Sequence, residues 1–134
     1  MNQPDFSPAN NPILKASCSF CNTENLEVIL ENKTVFAIQD SSPVSLHHML
    51  IIPKRHCLDY FDMTRQERCD AHELIDSLKY KILKKDPMVK GFNIGINCGE
   101  TAGQTVFHTH VHLIPRRKND TRNPRGGVRG VIPD

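Results

Sequence analysis

The spacing of apolar and polar positions divides the chain into short extended runs around one long helical pattern. Glu24–Glu31 and Lys33–Asp40 are strand-like and separated by Asn32, a residue suited to a hairpin turn. His48–Ile52 is a continuous apolar run closed by Pro53, the pattern of a buried strand. Thr64-Arg-Gln-Glu67 spells a capping box, with Thr64 as N-cap and Glu67 reaching back to it. The helix it opens places Ala71, Leu74, Leu78 and Ile82 on one face and must stop before Pro87. Gly91–Asn97 alternates apolar with small polar residues, and Phe107–Ile114 alternates again. The predicted order is β-β-β-α-β-β, an α+β fold on an antiparallel meander.

The last run changes the picture from fold to chemistry. Phe107-His-Thr-His-Val-His-Leu-Ile114 sets three histidines at every second position. On a strand, residues two apart share a face, so the imidazoles are expected on one surface about 7 Å apart. Three imidazoles and nothing bulky make poor packing material; they suit phosphate chemistry or a metal.

Length and composition bound the rest. With 134 residues, 38% hydrophobic and 24% charged, the chain reads as one ordinary domain. Residues 17–134 are expected to form it, ending in a basic tail, and residues 1–16, with Pro4, Pro8 and Pro12, to be a loose arm. No run of about 18 apolar residues suggests a membrane helix, and the polar N-terminus does not resemble a signal peptide. Five cysteines without an export signal fit a reduced, cytoplasmic protein. The net charge is +2, but residues 116–129 hold six basic residues against one acid. That segment reads either as a solvated tail or as a cationic rim that draws in polyphosphate.

Gly99-Glu-Thr-Ala-Gly-Gln-Thr105 precedes the histidines and Pro115-Arg-Arg117 follows them. Here the chain resembles the histidine triad (HIT) family of nucleotide hydrolases and transferases, whose signature is His-φ-His-φ-His-φ-φ with φ apolar. Thr109 stands where the family usually has an aliphatic residue, but it is β-branched and strand-compatible. The resemblance runs from about Ser17 to Pro133. It implies a five-stranded antiparallel sheet with one main helix and a short one, and a homodimer whose sheets join into one of ten strands.

The resemblance also implies roles. His110 would be the nucleophile at the α-phosphorus of a purine nucleotide, forming a covalent nucleotidyl-histidine that water resolves. His112 would hydrogen-bond the phosphate oxygens. His48, in Pro43-Val-Ser-Leu-His-His-Met-Leu-Ile-Ile-Pro53, would orient His112, with His47 the competing assignment. Gln104 and Thr105 would contact the phosphate or the scissile bridge, as would Asn97. Gly103 would either let backbone approach the phosphate or simply make a tight turn. Asp40 matches the family's ribose-gripping acid, though an Asp before Pro43 also reads as a turn cap. Phe20 and Ile38 match positions that sandwich the base, and core packing would explain them as well.

Cys18-Ser-Phe-Cys21 is a Cys-x-x-Cys pair that alone could be redox-active or incidental. In the zinc-bearing branch of the family, positions matching His56 and His108 complete a Cys2His2 set, a structural-zinc combination. With zinc bound, His108 would leave catalysis to His110 and His112; without it, His108 is a hydrogen-bonding strut. Within the enzyme reading, dinucleoside polyphosphate hydrolysis competes with removal of amine or acyl groups from nucleoside 5′-phosphates. A non-catalytic nucleotide-binding or scaffold protein is the alternative. Few aromatic residues and no Trp argue against a nucleic-acid module.

Overall fold

The computed structural model describes residues 17–132; the expected arm, 1–16, lies outside them. Five strands, β1 (Leu30–Glu31), β2 (Val35–Gln39), β3 (Met49–Pro53), β4 (Val89–Gly95) and β5 (Val111–Arg117), form one sheet. The sheet order is β1-β2-β3-β5-β4 and every neighbouring pair is antiparallel. One helix, α1 (Arg65–Lys85), crosses a face of the sheet.

Alternation along the strands sorts their side chains into two layers. Val35, Ala37, Met49, Ile51, Val111 and Leu113 pack with Ala71, Leu74, Leu78 and Ile82 of α1. Phe36, Ile38, Leu50 and Ile52 point the other way and are covered by Cys18 and Phe20. Because both faces are roofed, β2 and β3 read as unbroken apolar runs instead of alternating ones.

The capping box forms as the sequence indicates: Thr64 Oγ1 accepts from the Glu67 N–H at 3.0 Å, and Glu67 Oε1 accepts from the Thr64 N–H at 2.8 Å. The next turn of α1 is tied to the hairpin. Asp70 Oδ2 accepts from Thr34 Oγ1 at 2.6 Å, and Asn32 Nδ2 donates to the Asp70 carbonyl at 2.8 Å. Asn32 also closes its turn, accepting from the Val35 N–H at 3.2 Å.

Three expected boundaries are corrected. Glu24–Glu31 is not one strand: Thr23–Asn25 is a 3-10 turn and only Leu30–Glu31 pairs. β4 starts at Val89, with a bulge between Val89 and Gly91, and stops at Gly95, short of Asn97. β5 begins at Val111, so Phe107–His110 lies outside the ladder. Pro53 explains the last of these, because it offers no N–H with which to extend pairing toward residue 109. The short helix is met by 3-10 turns such as Tyr60–Asp62 and Glu100–Ala102. Among the described residues no helix is long and apolar enough to cross a membrane.

Leu78 is fully buried between α1 and the sheet. Its truncation leaves a cavity as well as lost apolar burial, so Leu78→Ala is expected to reduce unfolding free energy by about 3 kcal/mol in denaturant titration.

Candidate functional site

The chain between β3 and β5 builds the site through backbone carbonyls. Cys57 O accepts both the N–H and the Oγ1–H of Thr109, at 2.8 and 2.9 Å. Thr109 is fully buried, and its hydroxyl is satisfied there. Pro53 O accepts from His108 Nε2 at 2.7 Å. The histidine segment is therefore pinned to residues 53–57 by one backbone and two side-chain bonds in place of a ladder. His110 and His112 still stay adjacent, their ring centroids 5.3 Å apart.

These contacts fix the ring tautomers. His110 Nδ1 lies 2.9 Å from the carbonyl oxygen of His108. A carbonyl only accepts, so Nδ1 carries the proton and Nε2 holds a lone pair. His48 Nδ1 accepts the Val44 N–H at 3.1 Å, which places its proton on Nε2. That Nε2–H donates to His112 Nδ1 at 2.9 Å, leaving the His112 proton on Nε2. Asp40 Oδ2 stands 3.4 Å from the same His48 nitrogen. Burial lowers the pKa of His48, opposed by Asp40, and burial followed by the neighbouring His110 and His48 rings lowers that of His112. Asp40, His48 and His112 are close enough to suggest a metal trio. The Val44 N–H argues otherwise, since it occupies the lone pair of Nδ1 and forces a proton onto the nitrogen that would bind the ion.

His110 and His112 line a cleft of about 600 Å3 with Phe20, Ile38, Asp40, Asn97, Gly103 and Thr105. This volume lies within the range of small-molecule sites. Phe20, Ile38 and Leu50 make one end apolar; the histidines, Asn97 and Thr105 make the other polar. Phe20 also touches His110 edge-on, centroids 5.4 Å apart. Asp40 does cap its turn, with Oδ1 accepting the Ser42 N–H at 2.9 Å, and still reaches the cleft. Leu26, Leu50 and Ser42 line the cleft too; in sequence Leu50 is one more core residue, and no pattern marks the other two.

The geometry bears on two assignments, in opposite ways. His48, not His47, meets His112; His47 adopts a left-handed conformation with φ 71°. Gln104 does not reach the cleft: its Oε1 accepts the Gly99 N–H at 2.8 Å, and its Nε2 donates to the carbonyls of Leu58 and Val106. It is a buried strut for the loop that holds Gly103, whose φ of 92° requires glycine.

Cys18, Cys21, His56 and His108 converge with their ligand atoms within 4.8 Å of one another. Sγ of Cys18 lies 3.3 Å from His108 Nδ1, and Sγ of Cys21 lies 3.2 Å from His56 Nδ1. Ligands on a tetrahedral zinc ion sit roughly 3.3–3.8 Å apart, given metal bonds of about 2.0–2.3 Å, so the four residues fit one. The His108 hydrogen bond to Pro53 holds Nδ1 ready as the ligand atom. Burial pushes the His108 pKa down to about 4, keeping the ring neutral as a ligand must be.

A profile of the HIT domain matches residues 23–119. An uncharacterized HIT-like protein of Mycoplasma genitalium is 36% identical over 105 residues, covering 75% of this chain and 74% of the relative. An adenosine 5′-monophosphoramidase of Candida albicans is 32% identical over 114 residues, covering 79% of this chain and 74% of that one. The crystal structure of a zinc-bound histidine triad protein from Mycobacterium smegmatis superposes with a TM-score of 0.73, at 31% identity and 81% coverage of both chains.

Replacing Gln104 by Ala would strand the Gly99 N–H and two carbonyls. Gln104→Ala is expected to cost about 2 kcal/mol of stability in thermal or denaturant unfolding, chiefly by leaving those groups unsatisfied.

Proposed function

This chain belongs to the HIT family, and from that premise we propose that it cleaves purine nucleotides at the α-phosphorus, through a nucleotidyl intermediate on His110. The observation that carries the reading is the tautomer set. His110 holds its Nδ1 proton against the His108 carbonyl and keeps a lone pair on Nε2, beside a His112 whose proton is on Nε2. A neutral imidazole prepared in this way is a nucleophile near pH 7 without a separate base.

In the proposed sequence, Phe20, Ile38 and Leu50 hold the base and Asp40 the ribose. Asn97 and Thr105 donate to the phosphate. His110 Nε2 forms a bond to phosphorus as the bond to the leaving group breaks; the leaving group takes the electron pair, and an amine takes its proton from solvent. The His108 carbonyl then faces the Nδ1–H of a developing imidazolium and stabilises it. His112 Nε2–H donates to a phosphate oxygen as negative charge gathers there, and His48 keeps it in that tautomer. Water attacks phosphorus and loses one proton to solvent as the Nε2–phosphorus bond breaks, releasing nucleoside monophosphate and returning the lone pair to Nε2.

The phosphoramidase of Candida albicans supports an amine leaving group, while the basic residues after β5 suit a longer polyphosphate. AMP release from adenosine 5′-phosphoramidate and from diadenosine tetraphosphate, side by side, tests the reading and selects between them. Wild type is expected to turn over at least one, and His110→Ala to lose at least about a thousand-fold. AMP binding without turnover of either would leave a nucleotide-binding protein and remove the enzyme.

The pH profile offers a separate check. Burial lowers the pKa of His48 and of His112, and each must be neutral to hold the described tautomers. As pH falls, protonation of either ring breaks the set, and for these two rings burial puts that below the ordinary value of 6.5. The part of the acid limb of kcat/KM that His48 and His112 set is therefore expected below pH 6.5.

Zinc in the Cys18, Cys21, His56 and His108 cluster belongs to the same proposal. It would tie the segment bearing Phe20 to the start of the histidine run and take no part in the chemistry. Elemental analysis is expected to give one zinc per chain, absent from a Cys18→Ser/Cys21→Ser variant whose melting temperature is lower. The proposed homodimer would join along β4, the longer open edge of the sheet, where Ile94 is exposed.

A further inference from the structure

His48 Nδ1 has one hydrogen-bond donor, the Val44 N–H in the loop between β2 and β3, while Asp40 Oδ2, 3.4 Å from Nε2, favours the same tautomer from the other side of the ring. That loop carries one strained residue. The Ser45 carbonyl accepts the His48 N–H at 3.2 Å, and His47 is held at φ 71°, a conformation that costs any residue but glycine. Beyond its own hydrogen bonds, the turn is supported from outside.

The support comes from the far end of β5. Ser45 Oγ donates to the Pro115 carbonyl at 2.8 Å. Arg117 Nη2 donates to the Leu46 carbonyl at 3.1 Å. The same guanidinium is fixed by Asp86, the C-cap residue of α1, at 2.8 Å. Both staples fall where β5 is free to make them, because β3 pairs with it only as far as Leu113. β5 thus places His112 directly, through its own backbone, and His48 indirectly, through the loop. Neither Ser45 nor Arg117 lines the cleft.

We propose that Ser45 and Arg117 are positioning residues: by stapling the Val44–His47 turn to β5 they hold the Val44 N–H on His48 Nδ1, and so fix which nitrogen of His112 carries a proton. The inference rests on the catalytic reading above for its consequence, though not for its geometry. With the staples cut, His48 can move its proton to Nδ1. Its Nε2 then becomes an acceptor, and His112 turns its proton inward to Nδ1, away from the phosphate.

The test reads the rings themselves. In 15N NMR of the substrate-free protein at neutral pH, wild type is expected to show His48 with a bare Nδ1 and protonated Nε2, and His112 with the same pattern. In Ser45→Ala/Arg117→Met, both are expected to populate the opposite tautomer. If the double variant does not fold, Ser45→Ala alone carries the comparison. With a substrate that wild type turns over, kcat is expected to fall about ten-fold while KM stays within about two-fold, a partial loss of the about 10²–10⁴-fold an oriented proton donor provides. Leu78→Ala, which lowers stability from the core and touches neither staple, is expected to lower the melting temperature yet leave the tautomers unchanged. The proposal is overturned if the stapling variants keep the wild-type tautomers, or if Leu78→Ala shifts them equally, since stability alone would then be responsible. Because the rings are read without substrate, a failure of the nucleotide chemistry is distinguishable from a failure of the staples.

Discussion

Three directions of bonding meet at His108, and the site depends on all of them. Its Nε2 donates to Pro53 O, its Nδ1 faces the thiols of Cys18 and Cys21, and its backbone carbonyl accepts from His110 Nδ1. The ring is fully buried. Burial disfavours charge there, since an imidazolium loses its hydration in a low-dielectric interior. A neutral ring has one donor and one acceptor nitrogen, so giving Nε2 to Pro53 commits Nδ1 to the cluster. The same residue, through its backbone carbonyl, puts the His110 proton on Nδ1.

The architecture is legible in the chain where one face of each element is buried. Ala71, Leu74, Leu78 and Ile82 mark the packed stripe of α1, and Thr64 and Glu67 its start, because both signals are local. The strand boundaries are less legible. Phe107–His110 alternates as a strand would, yet the Thr109 N–H and hydroxyl both go to Cys57 and the His108 ring to Pro53, partners some fifty residues away in sequence. Glu24–Glu31 likewise has strand composition, but only its last two residues find a partner in the sheet. Periodicity reports which side of a segment is buried, not whether a neighbour is present to complete a ladder.

Site residues divide in the same manner. His110, His112, Asp40 and Asn97 have side chains whose chemistry is visible in a sequence, and they meet at the cleft. Gln104 carries the same kind of chemistry but spends all of it on backbone groups. A side-chain amide matches the peptide group donor for donor, so a buried Gln in a glycine-rich loop serves as well to close the loop as to grip a ligand. The basic tail shows a related ambiguity. Arg116 is paired with Asp120 and Arg117 with Asp86, so part of the clustered charge is internal structure.

Thr109 shows why a departure from a signature need not disturb the site. A hydroxyl at a buried position normally costs free energy, because it is removed from water. Here the Cys57 carbonyl already receives the Thr109 N–H, and its second lone pair takes the hydroxyl at 2.9 Å. The extra bond reinforces the strap that replaces a β-ladder between residues 53–57 and 108–110. Pro53 withholds a backbone donor from that strap, so a side-chain donor at residue 109 adds hold where the backbone alone has least. An aliphatic residue there would fill the same space and leave the strap with one bond fewer. The histidines on either side, His108 and His110, inherit their orientation from the strap, and the chemistry assigned to the cleft rests on backbone carbonyls as much as on imidazoles.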